Sequence, residues 1–71
     1  MSQHHVSIAG PPHRKSLVAM IDFNGEQWAE INTESGDVRV EIYSRRDGQP
    51  WAFDLADAMA ALEAARSRLL G

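Results

Sequence analysis

Between Lys15 and Phe23 the chain is rich in β-forming residues, and Asn24-Gly25 follows at once. Asn-Gly between two apolar stretches is the strongest short hairpin signal a sequence can carry. A two-residue type I′ loop there pairs Phe23 with Glu26, Asp22 with Gln27, Ile21 with Trp28, Met20 with Ala29 and Val18 with Ile31. The second strand is expected to end near Thr33, where "ESGD" supplies a turn. A third strand then runs from Val38 to Arg45, and "RRDGQP" turns the chain again. Trp51-Ala52-Phe53 leads into the last element, with room for a short fourth strand at 51–53. That element is a helix. Asp54 suits its N-cap, Asp57 its electropositive first turn, and Arg66 and Arg68 its last turns. "LADAMAALEAARSRLL" is built from strong helix formers. Leu55, Ala58, Met59, Leu62, Ala65 and Leu69 recur at helical spacing as one apolar stripe. Arg66 falls near the middle of that stripe, where it is expected to reach the edge or pair with Glu63. Ala56, Ala60 and Ala64 form a small-residue ridge on the far side. The expected architecture is α+β: a three-stranded antiparallel meander packed on one C-terminal helix.

Strand side chains alternate between faces, so the register decides which residues share one. Perfect pairing from the Asn-Gly turn collects Val18, Met20, Ala29 and Ile31 on one face, joined by Val38, Val40 and Ile42. That set is apolar throughout, and the helix stripe is its natural cover. The opposite face collects Leu17, Ala19, Ile21, Phe23, Trp28, Glu30, Asn32, Arg39, Glu41 and Tyr43. One helix covers one side only, so Ile21, Phe23, Trp28 and Tyr43 form a second apolar cluster without an evident cover. Such contiguous patches usually mark interaction sites. Ile21, Phe23, Trp28 and Tyr43 are therefore the expected contact residues, with Glu30, Arg39 and Glu41 as a polar rim. A second copy of the chain is the favoured cover and another protein fits equally well. Trp51, Phe53 or the N-terminal segment folding over is the local alternative.

The second hairpin has two readings. A tight loop at Ser35-Gly36 sets Glu30 directly against Glu41, a destabilising like-charge pair. A four-residue loop, Thr33 to Gly36, sets Glu30 against Arg39 instead and is the expected register.

Residues 1–14, with Gly10, Pro11 and Pro12, read as a flexible tail before a single small domain over 15–71. The alternation of Val6 and Ile8 leaves an edge strand as the alternative. At 71 residues the chain holds one small core, which buries roughly 60% of its unfolded surface. It has no cysteine, so disulfides and thiolate metal sites are excluded, and a reducing cytoplasm is the expected compartment. No apolar run approaches the roughly 20 residues a membrane helix needs.

Charge narrows the function further. The net charge is −3, and from Ser16 onward five arginines face ten carboxylates. A phosphate-binding surface draws its affinity from clustered cations, so this balance counts against nucleic acid. The second reading is still a nucleic-acid module that stacks bases on Trp28, Tyr43 and Phe23 beside Arg39 and Arg45. Three strands followed by a helix resemble the integrase arm-binding DNA domains in outline, a likeness of topology alone. Those domains read DNA through arginine-rich strands, and here acids outnumber arginines.

Catalytic signatures are lacking. His4, His5 and His13 all lie in the expected tail, too few and too loosely framed for a defined metal site. No serine sits in a Gly-x-Ser-x-Gly elbow, and no glycine-rich phosphate loop is present. Glu30 and Glu41 could share a face, but a pair of carboxylates needs a pocket that shifts one pKa to do acid–base work. The sequence thus points to a non-enzymatic interaction or regulatory module, with no cofactor, metal or small-molecule substrate.

Overall fold

The structure, a computed structural model, describes residues 4–71. Its elements are β1 (His4–Ala9), β2 (Val18–Phe23), β3 (Glu26–Asn32), β4 (Arg39–Ile42) and α1 (Leu55–Leu70). The strands form one antiparallel sheet in the order β1-β2-β3-β4. The expected α+β meander with a C-terminal helix is present, and a fourth strand is added to it. That strand is β1, whereas residues 51–53 carry no strand. The expected tail is thereby shortened: His4 pairs with Phe23 and Ala9 with Val18. The cause is the alternation of Val6 and Ile8, which pack against the core. Gly10-Pro11-Pro12 belongs to the β1–β2 connection. Residues 1–3 of the expected tail lie outside the described residues.

The first hairpin turns as expected, with Asn24 at φ 52° and Gly25 at φ 81°. Both positive values are what a type I′ loop requires. Phe23 faces Glu26 and Asp22 faces Gln27, but Ile21 then faces Ala29, Met20 faces Glu30 and Ala19 faces Ile31. Trp28 is the extra residue of a β-bulge, and a one-residue slip turns the rest of β2 over. Ala19 and Ile21, expected on the second face, are fully buried with Trp28, Ala29, Ile31, Ala61 and Ala65 in one core. Val18 and Met20, expected inside, take the opposite face. The physical reason is burial. Perfect pairing would leave both Ile21 and Trp28 away from the helix, and each such side chain gains about 1.5–3 kcal/mol when buried. The bulge lets Trp28 and Ala29 enter the core together.

On the helix, Ala58, Leu62, Ala65 and Leu69 face the core as expected, and Ala61 joins them. Leu55 and Met59 do not: they are 74% and 60% exposed. The helix packs on β1, β2 and β3 and does not reach β4. A helix is about 10 Å wide and strands lie about 4.8 Å apart, so one helix spans only part of a four-stranded sheet. Asp54 holds the N-cap position without a side-chain capping bond, and Gly71 closes the other end with its N–H on the Ser67 carbonyl.

Candidate functional site

The aromatic cluster near the Asn-Gly hairpin is closed by the chain itself. Phe53 lies 4.9 Å from the Trp28 ring and 4.6 Å from that of Phe23, centroid to centroid. His4 fills the remaining side, 5.1 Å from both Phe23 and Trp28 and 4.6 Å from Phe53. Trp51 is anchored over this group by its indole N–H, which donates to the Tyr43 carbonyl at 2.8 Å. The Arg45 guanidinium carbon lies 5.4 Å from the Trp51 ring centroid. Burial lowers the pKa of His4 below its ordinary 6.5, partly offset by the charge of Asp57. Ile21 and Trp28 are therefore core residues, and Phe23 is half-buried among rings. Their expected exposure on a free face is corrected by the bulge and by the local covers, His4, Trp51 and Phe53. His4, read as solvated, is a packing residue.

The other sheet face carries a polar cluster. Asn32 faces Arg39, Ile31 faces Val40 and Glu30 faces Glu41, so the second hairpin takes the register that opposes two carboxylates. The expected pairing of Glu30 with Arg39 is not formed. The missing cation comes from the β1–β2 connection. Arg14 Nη2 sits 2.9 Å from Glu30 Oε2 and 2.8 Å from Glu41 Oε2. Asn32 Nδ2 donates to the same two oxygens at 2.8 and 2.6 Å, and the Tyr43 hydroxyl donates to Glu30 Oε1 at 3.0 Å. Glu30 and Asn32 are each only 1% exposed, so these bonds replace water they have lost.

The titration behaviour follows from those contacts. Burial pulls the Arg14 pKa down, but Glu30 and Glu41 outweigh it and hold the guanidinium above its ordinary value. The bond from Asn32, then the charge of Arg14, lowers Glu41 in spite of partial desolvation. Desolvation, then the bond to Glu30, raises the Tyr43 phenol.

A third feature lies where the helix stops short of β4. Val38, Val40 and Ile42 are 51%, 44% and 60% exposed, although alternation points them to the helix side. Val38 and Val40, with Ile31, Met59 and Leu62, border an apolar groove of about 330 Å³, whose charged margin is Glu63 and Arg66. Arg66 is bound to Glu63, as expected from their spacing.

The seven expected contact residues are therefore divided. Ile21, Phe23 and Trp28 lie on the helix side; Glu30, Glu41 and Tyr43 form the polar cluster; exposed Arg39 shares the Glu41 face by alternation. Sequence reasoning missed Arg14, Asn32 and His4. The signal for Arg14 was the opposed glutamates themselves, which call for a nearby cation as readily as for a different register. Among the described residues no group of acidic or imidazole side chains is placed to hold a metal, and no helix is long and apolar enough to cross a membrane. No known protein family matches the chain, nor does any curated protein or solved structure.

Proposed function

We propose that the chain is a non-enzymatic protein-interaction or regulatory module of the cytoplasm that self-associates. Its contact surface is the apolar groove between β4 and α1 rather than the polar sheet face. The observation that carries this reading is the exposure of Val38, Val40 and Ile42 along β4, with exposed Met59 across the groove from Val38 and Val40. Exposed aliphatic clusters of this kind are characteristic of interaction surfaces. A domain of 71 residues also gains stability when a partner binds only its folded form. The engagement of Glu30 and Glu41 by Arg14, Asn32 and Tyr43 supports a structural rather than a catalytic role for that pair. The complete lack of cysteine fits a reducing compartment.

Light scattering after size exclusion tests the reading. The wild type at high micromolar concentration should have the mass of two chains. Met59→Lys, at an exposed helix position, should keep the circular dichroism of the wild type and elute as one chain. A wild-type mass of one chain across the whole concentration range rejects self-association.

A further inference from the structure

The groove is bounded by an open strand edge, and the backbone there has a definite polarity. The N–H of Tyr43 donates to the Trp28 carbonyl at 2.8 Å, and β4 pairs with β3 without a shift from Ile42 to Arg39. In an antiparallel ladder, hydrogen-bonded and non-hydrogen-bonded pairs alternate. Arg39, Glu41 and Tyr43 thus direct their backbone groups to β3. Val38, Val40 and Ile42 direct theirs outward, to the free edge.

From this geometry we infer that a second copy docks strand to strand, β4 against β4 in antiparallel register around a two-fold axis at Val40. The inference rests on the self-association proposed above and specifies how it occurs. In this register Val40 meets Val40 of the second copy, and Val38 meets Ile42. These are the positions whose outward N–H and C=O groups can bond, so the edge is satisfied. Arg39 then meets Glu41 of the second copy in non-hydrogen-bonded pairs, where facing side chains approach most closely. The symmetry forms that ion pair twice. Glu41 is available for it, because Arg14 and Asn32 both use Oε2.

Charge selects this register over its neighbours. Moving the axis to Glu41 sets Glu41 against Glu41, and moving it to Arg39 sets Arg39 against Arg39 and Asp37 against Glu41. Like charges directly opposite are destabilising. Only the axis at Val40 joins opposite charges while keeping Val38, Val40 and Ile42 together on the helix side. The product is a continuous eight-stranded sheet. Its central apolar strip runs between the two helices, with Met59 of each copy along its margins.

Single cysteines test the register, because the wild-type chain has none. Full-length Val40→Cys should crosslink to itself with a short thiol-reactive reagent. Val38→Cys and Ile42→Cys alone should not, since an offset of four residues separates like positions by about 13 Å. An equimolar mixture of those two should crosslink one to the other. Arg39→Glu should raise the dissociation constant about tenfold or more with the fold intact, as two ion pairs become repulsions. A two-chain mass with strong self-crosslinking at 38 or 42, or none at 40, overturns this register and leaves self-association standing. A one-chain mass at every concentration overturns both.

Discussion

On the helix side of the sheet, Ala19, Ile21, Trp28 and Ile31 are shut from water by Ala61 and Ala65 and by the side chains around them. On the other side Glu30 and Asn32 are shut away just as completely, but by a guanidinium, an amide and a phenol that bond to specific oxygens. The same four strands thus carry two kinds of interior. The apolar one is non-directional and accepts a bulge if the bulge buries more surface. The polar one depends on every partner, because a buried charge left alone costs far more than a lost contact.

The largest effect should come from the apolar side. Trp28→Ala removes the bulge residue from the core and should cost about 4 kcal/mol, the range for truncating a buried aromatic. Chemical denaturation should find it largely unfolded, since a single core in a chain this short rarely supplies more than about 3–5 kcal/mol. A loss below about 1 kcal/mol would place Trp28 outside the core.

Glu30→Ala probes the polar side. It removes the buried carboxylate and should cost about 3 kcal/mol, as breaking a buried ion pair does. Asn32→Leu in the same background should then cost less than it does in the wild type, because its partner is already gone. Additive losses would show that the cluster does not act as a unit.

Acid should separate the two interiors by pH. His4 has its folded pKa below 6.5, so the unfolded chain takes up that proton first. Its contribution is complete above about 6.5 and is lost as pH falls towards the folded value. Glu41 lies below its ordinary 4.5, so its contribution persists above 4.5 and is lost only as pH falls through the lower, folded value. Stability measured by denaturant midpoint should fall in two stages. His4→Leu should flatten the upper stage and leave the lower one, and an unchanged profile would remove His4 from the account. The smallest change in stability belongs to Met59→Lys, whose side chain is exposed. Its effect is on mass.

The elements were largely legible in the sequence. Asn24-Gly25 specified the turn and its first two pairs, Asp54 the start of the helix, and the spacing of Ala58, Leu62, Ala65 and Leu69 its inner side. The site was less so, for two physical reasons. A bulge leaves no local signature, because it is chosen by the tertiary burial of Trp28 and Ile21 rather than by propensity. One extra residue was enough to exchange the faces of β2. Two opposed glutamates are unfavourable when β3 and β4 are considered alone. Arg14, 16 residues before Glu30 and outside any strand, reverses the sign of that interaction. The exposed side of β4 has no local signal either, because only the assembled sheet shows that the width of the helix leaves this edge strand bare.

Hydrogen exchange resolved by residue tests the central claim, that β4 is completed by a second β4. At low concentration the amides of Arg39, Glu41 and Tyr43 should be protected by β3, while those of Val38, Val40 and Ile42 exchange freely. With rising concentration the second set should gain protection in step with the two-chain mass, and the first set should change little. Fast exchange at Val38, Val40 and Ile42 in a sample of two-chain mass would contradict strand pairing, and protection independent of concentration would contradict the open edge.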